Sequence, residues 1–269
     1  MHRLAGKNIL VTGAGSGIGQ AIAVRFAAEG ANVAINFRSG GESAQLTQAE
    51  AHEAARQSGA TTQTMLVKAD VSQEQDVAAM FAAVTAQFGR IDVLVNNAGI
   101  QKPTASEDVE MADFDRVLAV NLRGAFLCAR QALRHFLSRP GGGVILNNSS
   151  VHEIIPKPKY LPYSISKGGM ENLTRSLALE YAGRGIRVNA VGPGAVVTPI
   201  NRAWIDNPTA KAEVEAHIPM GRAARAEEIA AVFAFLASDD ASYVTGQTLF
   251  ACGGLTLYPE FRVAWSSGE

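Results

Sequence analysis

Tyr163 and Lys167 stand four residues apart, the separation that stacks two side chains on one face of an α-helix. A phenol and an ammonium held side by side can pass a proton to and from a reacting oxygen. A tyrosine that titrates near ~10 is a poor base at neutral pH, so an oxidation needs its phenolate stabilised. Bringing it to about 7 takes roughly 4 kcal/mol, which desolvated positive charges at close range can supply. Such a pair is common by chance on exposed helix faces, and it gains meaning from what surrounds it. Ser150, thirteen residues before Tyr163, can donate a hydrogen bond to an oxygen as charge develops there. Asn96-Asn97-Ala98-Gly99 closes an apolar run, and Asn121 sits in the helically spaced stretch 114–137.

A second group of residues could hold a phosphate. The apolar run Ile9-Leu10-Val11 passes directly into Thr12-Gly13-Ala14-Gly15-Ser16-Gly17-Ile18-Gly19 and then into the helix-like Gln20-Ala21-Ile22-Ala23-Val24-Arg25-Phe26. Glycines there let the backbone turn sharply and approach a pyrophosphate, whose charge is favoured by free N–H groups at a helix N-terminus. A glycine-rich turn between a strand and an amphipathic helix is the context a dinucleotide site requires. Gly13, Gly17 and Gly19 carry the turn, with Ser16 and Ile18 between them. After the second apolar run, where an NAD-selective site places an acid on the ribose 2′-hydroxyl, stand Phe37, Arg38 and Ser39. No carboxylate repels a 2′-phosphate, and Arg38 can grip one in bidentate fashion while stacking on adenine. The pattern favours NADP and admits NAD. Asp70, just after the third run, is placed to meet the adenine amino group, with Val71 beside it.

The elements that must position these groups are short runs rich in β-branched residues, alternating with longer amphipathic stretches. The runs are Ile9 to Val11, Val33 to Ile35, Met65 to Val67, Val93 to Val95, Val144 to Leu146, Val188 to Val191 and Thr248 to Phe250. Strands that are apolar throughout must be buried on both faces, which predicts a parallel sheet. Seven strands alternating with helices describe an α/β, doubly wound sheet with helices on both faces and ligands beyond the carboxyl ends of the strands. Residues 39–59 read as a loop followed by a helix. Residues 193–219, with scattered prolines and Trp204, read as irregular structure over the site, a candidate substrate lid. No linker or repeat divides the chain, so residues 1–269 read as one Rossmann-type domain carrying both cofactor and substrate sites.

Bulk composition excludes several other classes. Of the 269 residues 47% are hydrophobic, enough for one large core, and 24 basic against 25 acidic residues give a net charge of -1, unlike a nucleic-acid binder. Cys128 and Cys252 lie far apart without metal-ligand spacing and read as reduced core thiols. No apolar run approaches the ~20 residues of a membrane span, and the first one ends at once in Thr12-Gly13, unlike a signal peptide. A cytoplasmic enzyme is expected, with no metal, nucleic-acid or membrane partner.

The combination of Thr12-Gly-x-x-x-Gly-x-Gly19, Asn96-Asn-Ala-Gly99, Asn121, Ser150, Tyr163-x-x-x-Lys167 and Pro193-Gly194 resembles the short-chain dehydrogenase/reductase family over nearly the whole chain. The resemblance implies a nicotinamide-dependent oxidoreductase with Tyr163 as acid/base, Ser150 on the substrate oxygen, Lys167 on the nicotinamide ribose and Asn121 in a water relay. It also implies that Asn97, Ala98, Gly99, Pro193, Gly194 and Val196 line the cofactor and that Thr198 binds the carboxamide. Ser149-Ser150-Val151-His152-Glu153, residues 192–201, Ile218-Pro219-Met220-Gly221 and residues 241–246 look like the bacterial glucose 1-dehydrogenase branch. That likeness implies oxidation of an aldose such as glucose at C1, with His152 and Asn201 as hydroxyl partners. Gln101 stands where that branch tends to carry glutamate, and Cys252 where aspartate is common. Two rivals remain: a reductase of ketones or 3-oxoacyl thioesters using the same core residues, and a sensor that binds NADP without turnover. The family resemblance further implies a homotetramer, and the aromatic tail Tyr258, Phe261 and Trp265 reads as reaching toward a neighbouring subunit.

Overall fold

Each of the seven apolar runs forms a strand in the computed structural model, which describes residues 2–257. They are β1 (Asn8–Val11), β2 (Asn32–Phe37), β3 (Thr64–Lys68), β4 (Val93–Asn96), β5 (Gly143–Asn148), β6 (Ile186–Pro193) and, after a ribbon described below, β9 (Thr248–Ala251). All neighbours are parallel in the order β3-β2-β1-β4-β5-β6-β9. The chain therefore reverses its winding between β1 and β4, and a crevice opens beyond the carboxyl ends of the strands at that point.

Alternation along each strand sorts the core into two halves. Ile9, Val11, Val33, Ile35, Val93 and Val95 face one side, covered by Ile22 and Phe26 of α1 (Gly17–Ala28), Ala44 and Ala51 of α2 (Gly41–Ser58), and Phe233 of α9 (Ala226–Ala237). Leu10, Ala34, Leu94 and Ile145 face the other. There they meet Met80 and Phe81 of α3 (Glu74–Phe88), Leu127 and Phe136 of α5 (Gly124–Leu137), and Leu177 of α6 (Leu161–Tyr181). Burying each large side chain contributes about 1.5–3 kcal/mol, so the strands have no exposed face to spare for polar residues. Cys128 lies free in the second core half, its thiol pushed up to about 12 by burial, and Cys252 is also buried and free.

Two segments differ from the pattern read in the sequence. The stretch 114–137 is not one uniform helix: α4 (Met111–Leu118) and α5 flank a π-helical turn, Ala119–Arg123, which holds Asn121. An extra residue in a helical turn leaves no trace in the spacing of apolar side chains. Residues 193–219 are more regular than scattered prolines imply. They contain β7 (Val196–Val197), which pairs with β8 (Ala224–Arg225), then a 3-10 turn (Pro199–Asn201), α7 (Arg202–Ile205) and α8 (Pro208–Ala216). Pro208 fits the first turn of α8, where no N–H is needed, and the Asn207 side chain caps that helix by accepting from Thr209 N and Ala210 N. Among the described residues no helix is long and apolar enough to cross a membrane. Tyr258, Phe261 and Trp265 lie outside the described residues.

Candidate active site

A cleft of about 600 Å³ lies over the carboxyl ends of the strands. Every residue singled out from the sequence for chemistry or binding lines it, except Asn121.

At one end, the turn between β1 and α1 has a backbone that tolerates no side chains. Gly13 has φ +62 and a Cβ there would stand 2.8 Å from Ala98 Cα, while a Cβ on Gly19 would stand 2.4 Å from Gly13 O. Ser16 precedes α1 with no side-chain cap and no acidic residue in the first turn, so the free N–H groups of α1 face the cleft uncompensated. That is an anion cradle, and these residues fit a dinucleotide pyrophosphate. Arg38 and Ser39 are exposed beyond β2, with Arg38 close enough to Asp70 to favour its charge. Burial opposes that charge, but hydrogen bonds from Ser72 N and Oγ, aided by Arg38 and Arg116, hold the Asp70 carboxyl below its ordinary range.

A line of amides ties this end to the other. Asn36 Oδ1 accepts from Gly13 N at 3.1 Å while its Nδ2 donates to Val67 O and Ala69 O. Asn97 Nδ2 donates to Thr12 O and Gly13 O at 2.9 Å, and its Oδ1 accepts from Asn148 Nδ2 at 2.8 Å. Asn148 O then accepts from Lys167 Nζ at 2.6 Å. The phosphate turn and the lysine are thus indexed to one another through three side-chain amide bonds and one carbonyl. Asn36 and Asn148 were not singled out from the sequence. Their signal was there, since an asparagine inside an otherwise apolar strand must have buried partners.

Ser150, two residues past β5 and next to Ser149, caps a 3-10 turn, Val151–Glu153, and its Oγ accepts from His152 N at 3.1 Å. That leaves the hydroxyl proton to be given to an oxygen, and its bond to Tyr163 favours the phenolate. Tyr163 and Lys167 lie in the first turns of α6, Lys167 Nζ standing 5.4 Å from the Tyr163 ring centroid. Lys167 is buried, and burial lowers its pKa to about 8 against the opposing pull of Glu153. Burial pushes the Tyr163 phenol up and the Ser150 bond only partly offsets this, so a stabilised phenolate calls for positive charge beside it.

Asn121 sits behind the cleft wall, fully buried, with Oδ1 accepting from Ile100 N at 2.8 Å and Nδ2 donating to Ile100 O at 2.9 Å and Ser166 Oγ at 3.1 Å. Its side chain joins the loop after β4 to α6, and the relay expected of it has no direct opening to the cleft. The substrate end is walled by Gln101, His152, Asn201, Lys157 and His217 together with the apolar Val151, Ile200, Trp204, Val214, Ile218 and Leu255. His152 Nδ1 donates to Ile155 O at 2.8 Å, and burial disfavours its charge, so the neutral ring carries its lone pair on Nε2. Asn201 turns its Nδ2 to Val196 O at 2.8 Å and to Thr198 Oγ1 at 3.5 Å, which leaves its carbonyl oxygen for a ligand. Trp204 and His217 come from the stretch 193–219 that was read as lying over the site, whereas Lys157 was missed because no local pattern announces the path of its turn.

This fold, with a glycine-rich β1–α1 turn at one end of the cleft and Ser150, Tyr163 and Lys167 at the other, agrees with a family-wide match. A family model described as enoyl-(acyl carrier protein) reductase matches residues 13–256. The chain belongs to the short-chain dehydrogenase/reductase family, and it is an NAD(P)-dependent oxidoreductase of that family acting on CH–OH donors. It is similar to the glucose 1-dehydrogenase of Gluconobacter oxydans (strain 621H), with 50% identity over 98% of this chain and 97% of that one. It is equally similar, at 50% identity over 96% of this chain and 97% of the other, to 3beta-hydroxysteroid dehydrogenase 1 of Eggerthella lenta. Among solved structures, that of levodione reductase matches with a TM-score of 0.87 and 40% identity, covering 95% of this chain and 100% of that one.

Proposed function

We propose that the protein oxidises an aldose such as glucose at C1 to the lactone, with NADP favoured over NAD. The observation that carries the sugar reading is that the polar side chains of His152, Gln101 and Asn201 line the cleft that Ser150 and Tyr163 also line. A sugar needs partners for each buried hydroxyl, because an unpaired one costs affinity. The glucose 1-dehydrogenase relative supports this reading, and the equally similar steroid dehydrogenase shows that identity by itself does not choose the substrate.

In this reading Tyr163 takes the proton of the reacting hydroxyl and Ser150 holds the oxygen through its free proton. The bound nicotinamide supplies the hydride acceptor, and its positive charge adds to the stabilisation of the Tyr163 phenolate. Lys167, Pro193, Gly194, Val196 and Thr198 hold the nicotinamide end, while Gly13, Ser16, Gly17, Ile18 and Gly19 hold the pyrophosphate. Asn97, Ala98 and Gly99 close the wall between them, and Arg38, Ser39, Asp70 and Val71 receive the adenosine. Asn121 acts by fixing Ile100 and Ser166. Residues 193–219 serve as a lid, and the working form is a homotetramer. The apolar residues Trp204, Ile200, Val214 and Ile218 favour a second reading, reduction of a hydrophobic ketone or 3-oxoacyl thioester by the same groups. Cofactor reduction with glucose, other aldoses and simple secondary alcohols decides between them: oxidation of glucose or a near relative supports the sugar, and activity confined to ketone reduction overturns it.

A further inference from the structure

Lys157 takes no part in the chemistry above, yet it lines the same cleft. It opens the turn Lys157-Pro158-Lys159-Tyr160, closed by a hydrogen bond from Tyr160 N to Lys157 O at 3.2 Å. Pro158 at the second position and φ +69 at Lys159 in the third are the marks of a type II turn, whose third position favours glycine. Among the described residues Lys159 is the one non-glycine with positive φ. Such strain persists only where the surroundings hold it, and it gathers at ligand sites. Here Lys159 O accepts from Thr104 N at 2.8 Å, which ties the turn to the loop carrying Gln101.

The locked turn places the ammonium. Lys157 Nζ lies 4.3 Å from the Tyr160 ring centroid, and among the described residues no carboxylate forms an ion pair with it. Lys157 is an exposed residue of the cleft lining whose ammonium burial pushes down, and it is near enough to His152 to disfavour charge on that ring. Asp70 is the one acidic side chain among the residues lining the cleft, and it belongs to the adenosine end beside Arg38. Gln101 puts a neutral amide, with donors, in the substrate end. An anion there meets a cation and hydrogen-bond donors and no opposing carboxylate.

We infer that the substrate carries an anionic group, a carboxylate or a phosphate, remote from its reacting hydroxyl, and that Lys157 pairs with this group at the rim. A lysine suits the task, since its ammonium is a point charge on a stem that reaches either kind of oxyanion. The inference rests on the sugar reading in its choice of scaffold, which makes a uronic acid or a sugar phosphate the substrate class.

Calorimetric titration of the protein loaded with reduced cofactor reads affinity without turnover of a hydroxyl substrate. The probes are glucose, glucuronate and glucose 6-phosphate, which share C1 and differ in charge at C6. Against the parent protein, at least one anionic sugar binds about tenfold tighter than glucose, the effect of one charge-assisted bond. Lys157→Met, which keeps the length of the side chain and removes the charge, abolishes that advantage and leaves glucose within about twofold; Lys157→Arg retains most of it. Which sugar gains separates a carboxylate site from a phosphate site. Anionic sugars that bind no tighter than glucose, or a Lys157→Met protein that weakens all three alike, overturn the inference. Turnover with oxidised cofactor is scored separately: tight, Lys157-dependent binding without oxidation at C1 sinks the sugar-oxidation reading and leaves the role of Lys157 standing.

Discussion

In the proposed mechanism Ser150 and Lys167 serve Tyr163 because each has a bond that fixes it and hydrogen-bonding capacity left over. Ser150 accepts from His152 N and keeps its proton, and Lys167 gives one hydrogen to Asn148 O and keeps two. The price of this arrangement is a buried ammonium, and it has a measurable consequence. Lys167 loses its proton near 8 in the folded protein but holds it to about 10.5 once unfolded. Between those values the unfolded state binds more protons, so stability rises with pH. In urea unfolding at fixed protein concentration, raising the pH from 7 to 9.5 is expected to stabilise the parent relative to Lys167→Met, by on the order of 2 kcal/mol. A constant difference between the two proteins across that range would contradict the assignment. At the adenosine end, Arg38→Ala should lower kcat/KM for NADP about tenfold or more and leave NAD within about twofold, measured by steady-state kinetics with each cofactor. Equal loss with both would remove the phosphate role of Arg38.

The elements show why some of this was legible in the amino-acid order and some was not. The strands could be read because all-apolar, β-branched runs have one stable home, a sheet covered on both faces. The phosphate turn could be read because Gly13, Gly17 and Gly19 answer to backbone demands that glycine alone meets. Tyr163 and Lys167 share a helix face as their spacing requires. Asn121 was located but its surroundings were not, since the π turn that buries it changes hydrogen-bond register and leaves the apolar pattern intact. The burial of the Tyr163 phenol was not legible in the spacing, because it depends on packing from distant segments. Residues 193–219 read as irregular because prolines were taken as breakers, although Pro208 occupies the first turn of α8, the place a helix accepts one. Asn207→Ala removes the cap of that helix and should cost α8 about 1 kcal/mol locally. If the segment is a lid, amide exchange in α8 quickens severalfold and the substrate KM rises while cofactor affinity holds. Unchanged KM with faster exchange would leave α8 as cover without a gating role.

At the scale of the molecule, one parallel sheet sets the geometry of both half-sites. Residues after β1, β2 and β3 line one end of the cleft and residues after β4, β5 and β6 the other, so in the proposed reading the adenosine lies on one side of the β1–β4 crevice and the hydride moves on the other. The exposed apolar residues Phe126 and Leu137 on α5, and Leu161, Ile165 and Leu179 on α6, are more than isolated surface side chains require. They match an assembly through these helices. Light scattering at working concentration should give a tetramer mass, and a monomer would refute that arrangement. The account as a whole turns on Tyr163. Reduction of NADP or NAD in the presence of aldoses and secondary alcohols, measured side by side for the parent and Tyr163→Phe, should show turnover in the parent that falls about a hundred- to ten-thousandfold when the hydroxyl is removed. Undiminished turnover in Tyr163→Phe would contradict it.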